Sequence, residues 1–107
     1  MRAVFLKTWS GKLGQPFYDF IEKESKYADI LCLQEIPVSL NIKLSNLLKE
    51  FNAFFDIEGA SSDFKELCGQ ATYIRKSFQV VMNEKILLPE IKDENIGFLL
   101  LTQFKIN

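Results

Sequence analysis

The apolar positions along this chain follow two different periods, and their order predicts the sequence of helices and strands. Residues 3–9 form a β-branched and aromatic run that predicts a first strand. After a loop, apolar residues recur at helical spacing behind Pro16, whose fixed φ suits a first helical turn. Residues 29–36 predict a second, buried strand that Pro37 stops. The first third of the chain therefore reads strand, helix, strand.

A second helix follows, in which leucines at 40, 44, 47 and 48 and Phe51 form an amphipathic stripe that Ser39 can cap. Beyond it the spacing becomes strand-like. The remaining predictions are a short strand over 53–57, a polar loop over 58–66, a hairpin of 70–76 with 78–86 around Lys76-Ser77, and a last strand over 98–106.

These elements give a βαβα unit followed by a run of mostly antiparallel strands in one mixed sheet, an α/β fold. A strand, helix, strand crossover is nearly always parallel and right-handed, so the first two strands should end at the same rim. That rim carries Lys7, Trp9, Gln34 and Glu35. Ligands of open α/β sheets bind outside the carboxyl ends of the strands, which makes this rim the candidate site.

Glu35 is the most unusual residue of that rim, because it closes an apolar strand. Ionised Glu is seldom placed in an apolar setting without a partner or a metal ion. Gln34 should point to the opposite face of the strand and form buried hydrogen bonds to neighbouring loops. Trp9 is expected to pack the base of its loop.

Composition limits the chemistry. The 107 residues, 48% of them hydrophobic, suffice for one small domain over residues 1–107. A net charge of −1 provides no overall field for nucleic acid or acidic membranes. The chain has no His, which excludes imidazole bases and most zinc sites. Catalysis could then use a carboxylate with a hard cation, a lysine or tyrosine of shifted pKa, or a cysteine.

Two cysteines without a CxxC motif suggest reduced thiols, and no signal peptide or spanning segment is visible. We therefore expect a cytoplasmic protein.

Three segments in order, residues 5–11, 29–36 and 68–73, resemble the N-terminal half of the endonuclease/exonuclease/phosphatase superfamily, which has the deoxyribonuclease-like fold. The block D-I-x-x-L-Q-E is complete here and ends at Glu35. The resemblance implies half of a four-layer α/β sandwich and a phosphoesterase that uses Mg²⁺ or Mn²⁺. It also implies that Glu35 is a ligand of the catalytic cation, which agrees with the one or two carboxylates that often hold Mg²⁺ in proteins.

The sequence departs from the family pattern in two ways. Lys7 stands where the family has Asn, so it brings a positive charge within ion-pair range of Glu35 and is a second candidate catalytic residue. The later family motifs N-x-H, G-D-x-N and S-D-H are absent. By resemblance, residues 1–107 are a partial domain that lacks its C-terminal half.

Several alternatives stay open. The chain could be the N-terminal part of a Mg-dependent phosphoesterase, inactive alone, or a non-catalytic module that binds itself or a partner. A nucleic-acid-binding domain is least favoured by the charge. Glu35 could also merely pair with Lys7, and Lys7 could be a substitution on a relaxed site rather than a phosphate clamp. Arg75 and Lys76 could contact a phosphate backbone from a hairpin or form an ordinary solvated turn. Apolar residues on both faces of the predicted sheet imply that something packs on the face that the two helices leave open. It could be a second copy, a separate chain or a C-terminal remainder of the same protein. The substrate, whether nucleic acid, phospholipid head group or inositol phosphate, is not determined.

Overall fold

The computed structural model describes residues 1–60, 66–87 and 98–105. The elements follow the predicted order, and the α/β fold class is confirmed. They are β1 (Ala3–Lys7), a 3₁₀ helix (Trp9–Gly11), α1 (Gln15–Glu24), β2 (Ile30–Pro37), α2 (Val38–Leu47), β3 (Phe51–Ala60), β4 (Leu67–Arg75), β5 (Gln79–Leu87) and β6 (Phe98–Lys105). Most of the predicted polar loop and the last residue of the predicted final strand lie outside the described residues.

The main sheet has four strands in the order β1-β2-β4-β3. β1 and β2 are parallel, and β4 is antiparallel to both of its neighbours. The sheet is therefore mixed, and α1 makes the crossover between the parallel pair. The carboxyl ends of β1 and β2 meet at one rim, as the sequence predicted.

The prediction of a hairpin between the strands over 70–76 and 78–86 is wrong. β4 lies between β2 and β3, so both of its edges are already occupied. β5 pairs instead with β6, antiparallel, in a separate two-stranded sheet. The described strands thus form two sheets and not one.

α2 also differs from its prediction at both ends. It begins at Val38, and Ser39 lies inside the first turn, where its backbone N and Oγ donate to the Glu66 carboxylate at 2.6 and 3.0 Å. The carboxylate of Glu66, the residue before β4, thus accepts hydrogen bonds from the first turn of α2, where Ser39 was predicted to act as the cap. The helix ends at Leu47, and Phe51 opens β3 because the chain turns at residues 48–50.

The hydrophobic core lies between the two helices and one face of the main sheet. Burying such side chains is the main favourable contribution to folding, at about 1.5–3 kcal/mol each. The cluster consists of Phe17, Ile21, Ala28, Leu31, Leu33, Ile36, Leu40, Leu44, Leu48, Phe51, Ala71 and Tyr73.

The opposite, helix-free face of the main sheet is much more open near the rim. Phe5 is 77% exposed, Cys32 and Thr72 are half-buried, and Gln34 is exposed. The rim end of this face is therefore partly polar, in contrast to the apolar face that the sequence predicted.

Arg75 is not part of a solvated turn, which corrects that prediction. Its Nε donates to the Ala28 carbonyl at 3.1 Å, and its Nη2 donates to the Ser25 carbonyl at 2.7 Å. The guanidinium also lies 4.6 Å from the centre of the Phe51 ring. Arg75 therefore ties the end of β4 to the loop between α1 and β2, while Lys76 is exposed.

No helix within the described ranges is long and apolar enough to cross a membrane.

Candidate metal site at the strand rim

A β-bulge shapes the candidate site. Leu33 pairs with Ala71 and Ile36 pairs with Gly69, so two residues of β2 oppose one residue of β4. Leu33 and Ile36 are both core residues, although strict alternation would place side chains at this separation on opposite faces. The extra residue therefore returns Ile36 to the core and keeps the carboxylate of Glu35 out of it.

Glu35 itself adopts a left-handed backbone conformation, with φ of 56°. Its Oε1 lies 3.2 Å from the Nζ of Lys7, and the two side chains are 38% and 61% exposed. The sequence predicted this proximity. An ion pair so open to solvent contributes at most about 1 kcal/mol, so the two groups are easily separated.

Thr8 is a residue of the site that the sequence analysis missed. It is fully buried, its backbone N donates to the Gln34 carbonyl at 2.9 Å, and its Oγ1 donates to the Glu35 carbonyl at 2.7 Å. Nothing in the residue pattern marks the hydroxyl. The bulge did leave a signal, because two polar residues in succession between Leu33 and Ile36 break the alternation of an otherwise apolar strand.

Two expectations about the rim are wrong. Gln34 lies on the helix-free face, as alternation requires, but it is exposed rather than buried, because this end of the face is open to solvent. Trp9 is 64% exposed and has φ of 56°, so it does not pack the base of its loop. Gly11 lies closer to the core, since a Cβ there would be 3.6 Å from Leu40.

A groove of about 350 Å³ starts at the rim and runs along the helix-free face. Burial raises the pKa of the Cys32 thiol there, and a hydrogen bond with Thr72 offsets part of that shift. The thiol is therefore mainly protonated at neutral pH, which makes it a poor nucleophile. The groove is lined by Phe5, Leu6, Lys7, Cys32, Leu33, Gln34, Gln70, Ala71 and Thr72.

The rim fits a divalent cation in part. Glu35 offers an accessible carboxylate, and Mg²⁺ is often held by one or two carboxylates with water and phosphate as its other ligands. No group of three His, Cys, Asp or Glu side chains comes together among the described residues. Lys7 neutralises Glu35 in this arrangement, so an ion would need the exposed ammonium to move away first.

Comparison with known proteins supports the fold. No family model and no curated sequence matches the chain. Its structure is similar to an endonuclease/exonuclease/phosphatase from Bacteroides vulgatus, with TM-score 0.64 and 15% identity over 96% of this chain and 45% of that one. It is also similar to ANGEL2, a 2′,3′-cyclic phosphatase, with TM-score 0.54 and 21% identity over 82% of this chain and 27% of that one.

The chain therefore has the fold of endonuclease/exonuclease/phosphatase proteins, as the sequence resemblance implied. It spans less than half the length of either of these two structures.

Proposed function

We propose that this chain is the N-terminal part of a divalent-cation-dependent phosphoesterase, in which Glu35 binds Mg²⁺ or Mn²⁺. The observation that carries the proposal is the position of Glu35, which a bulge holds outside the core at the parallel-strand rim of this fold. Nucleic acid, phospholipid head groups and inositol phosphates are the candidate substrate classes.

In this proposal Glu35 holds the ion and Lys7 has two roles. Without the ion, the ammonium balances the carboxylate charge at 3.2 Å. With the ion present, Lys7 is free to meet a phosphate oxygen at the same rim. A bound Mg²⁺ supplies Lewis-acid stabilisation of the negative charge on a phosphoryl oxygen.

We further propose that residues 1–107 alone do not hydrolyse phosphate esters. The chain has no His, and the described part assembles no further acidic ligands around Glu35. The remaining site residues would come from a second segment or chain. Cys32 and Cys68 form no disulfide with each other, which supports the prediction of a cytoplasmic location that is part of this proposal.

The metal-binding part is tested by Mn²⁺ titration, with free Mn²⁺ counted by electron paramagnetic resonance. We expect one weak site in the native chain, binding that is about five- to tenfold tighter in Lys7→Asn because the competing charge is gone, and loss of the site in Glu35→Gln. Lys26→Asn is the matched control, since Lys26 is an exposed lysine in the turn after α1. Equal binding by Glu35→Gln and the native chain would contradict the proposal.

The inactivity is tested with bis(p-nitrophenyl) phosphate and Mg²⁺ or Mn²⁺. We expect hydrolysis no faster than with the metal ion alone. Turnover that disappears in Glu35→Ala would show that the chain is an enzyme by itself, while the role of Glu35 would stand.

A second candidate function is a non-catalytic module that associates with another copy of itself. The observation that favours it is Phe5, which is 77% exposed and lies beside the groove of the helix-free face. Sedimentation velocity across a concentration series tests it. Phe5→Ser should weaken association, whereas Phe20→Ser, which alters a 39% exposed phenylalanine on α1, should not. A strict monomer at every concentration would exclude this candidate.

A further inference from the structure

We propose that Thr8 is a positioning residue that holds Glu35 in its left-handed conformation and so places the carboxylate beside Lys7. The proposal concerns the backbone of the rim and does not depend on the proposed function. It assigns to a buried hydroxyl a role that no charge or motif in the sequence indicates.

The rim contains the only two non-glycine residues with positive φ in the described part of the chain. Trp9 and Glu35 both have φ of 56°. L-residues rarely adopt this region, because Cβ approaches the backbone carbonyl, so neighbouring structure has to hold them there. Thr8 joins the two residues: it precedes Trp9 in the sequence and donates a hydrogen bond to Glu35.

The direction of two carbonyls shows how Thr8 acts. Its backbone N–H donates to Gln34 at 2.9 Å, and its hydroxyl donates to Glu35 at 2.7 Å. In a regular strand, consecutive carbonyls point to opposite edges. Here both carbonyls turn toward Thr8, the residue that follows the neighbouring strand β1, which requires the local twist of a bulge. The two hydrogen bonds of Thr8 therefore fit the bulged backbone of β2 and not a regular strand.

Burial makes this fit selective. Thr8 is 0% exposed, so water does not replace its acceptor. A buried hydroxyl without a partner is unfavourable, and the Glu35 carbonyl turns away from Thr8 if β2 becomes regular. The hydroxyl thus favours the bulged backbone over the regular one.

The choice between these two backbones determines where the carboxylate lies. With regular alternation after Leu33, Glu35 would face the helices and Ile36 would leave the core. With the bulge, Ile36 is fully buried and Glu35 reaches Lys7. Thr8 therefore acts on the candidate site through the backbone of Glu35, without touching its carboxylate.

The test compares Thr8→Val, which keeps the shape and removes the hydroxyl, with Thr8→Ser, which keeps the hydroxyl. Nuclear magnetic resonance reports the ¹³Cα shift of Glu35 and the exchange rate of the amide at position 8, with the Tyr73 amide as an internal reference for global unfolding. In Thr8→Val we expect the Glu35 shift to move toward the extended value and the amide at position 8 to exchange about tenfold faster relative to Tyr73. Thr8→Ser should resemble the native chain in both readouts.

An unchanged Glu35 shift in folded Thr8→Val would overturn the proposal. So would equal changes in Thr8→Val and Thr8→Ser, because the effect would then not follow the hydroxyl, which only Thr8→Ser keeps.

A second variant pair keeps the test decisive if Thr8→Val is poorly folded. Glycine adopts positive φ without strain, so the cost of removing the hydroxyl should be smaller in a Glu35→Gly background. We expect Thr8→Val to lower the folding equilibrium constant at least about threefold less in that background than in the native one. Additive effects of the two substitutions would overturn the proposal.

Mn²⁺ affinity gives a separate readout. If the native chain has a Mn²⁺ site that depends on Glu35, Thr8→Val should bind Mn²⁺ more weakly. Thr8→Ser should bind Mn²⁺ as the native chain does. If the native chain binds no Mn²⁺, the proposed function fails while the Glu35 shift still decides the role of Thr8.

Discussion

The two faces of the main sheet are built from the same strands but differ in burial and polarity near the rim. On the helix side, β2 contributes Leu31 and Leu33, which are almost fully buried. On the helix-free side the same strand contributes Cys32, half-buried, and Gln34, exposed. Near the rim, therefore, the helix side carries the buried apolar packing, whereas the open side carries polar groups that solvent can reach.

The largest expected effect compares one apolar residue from each face. Leu33→Ala should lower the free energy of unfolding by about 2–5 kcal/mol, because it leaves a cavity under the helices. Phe5→Ala should change it by less than about 0.5 kcal/mol, since the ring is already 77% exposed. Urea unfolding measures both. A large cost for Phe5→Ala would show that something covers the helix-free face in solution and would erase the difference between the faces.

The next effect concerns the tie between β4 and the loop after α1. Arg75→Met should cost about 1–3 kcal/mol, because the Ser25 and Ala28 carbonyls lose their donor. Lys76→Met, at the exposed neighbouring position, is the control and should be nearly neutral. If both variants unfold at the same urea concentration as the native chain, Arg75 contributes no stability to the helix side.

The helix side should also respond to high pH through Tyr73. Burial raises the pKa of its phenol to about 12, and a hydrogen bond with Ser45 offsets part of the shift. The unfolded phenol ionises near its ordinary value of about 10, so the contribution is complete below about pH 10 and is lost as pH rises toward 12. The loss should reach about 2 kcal/mol.

The measurement is the difference in unfolding free energy between the native chain and Tyr73→Phe from pH 9 to 12. This difference removes the effect of the lysines, which titrate in the same range. A difference that does not change with pH would contradict the burial of the phenol.

The smallest expected effect is at the rim. Lys7→Asn should change the free energy of unfolding by less than about 0.5 kcal/mol, because its ion pair with Glu35 is open to solvent. Lys26→Asn serves as the comparison, and thermal unfolding of both variants is the measurement. A cost above about 1 kcal/mol for Lys7→Asn alone would mean that the ion pair is structural and would favour the reading of Glu35 as a mere partner of Lys7.

The sequence predicted the parts of the fold that depend on local periodicity. The βαβα order and the shared rim of β1 and β2 follow from hydrophobic spacing and the handedness of crossovers. The position of β4 between β2 and β3 could not be predicted, because pairing partners depend on contacts between distant segments. The role of Arg75 follows from that position.

The site was predictable to a similar extent. Glu35 and Lys7 were found from charge placement and resemblance, and their proximity from the parallel pairing. The left-handed backbone of Glu35 was not predicted, because it depends on the register between β2 and β4 and on a hydrogen bond from the hydroxyl of Thr8, the residue after β1. The pattern of apolar and polar residues predicts which positions are buried. It does not predict which backbone carbonyl accepts the hydrogen bond of the buried Thr8 hydroxyl.

The proposed function depends most on Glu35 as a metal ligand, and paramagnetic broadening by Mn²⁺ tests this role directly. In ¹⁵N spectra of the native chain, substoichiometric Mn²⁺ should selectively broaden the amides of Thr8, Glu35 and Gly69 at the rim, and leave Ala28 and Asn52 at the other end of the sheet sharp. In Glu35→Gln this selective broadening should disappear. Broadening centred elsewhere, or unchanged at the rim in Glu35→Gln, would contradict the assignment of Glu35 as the metal ligand.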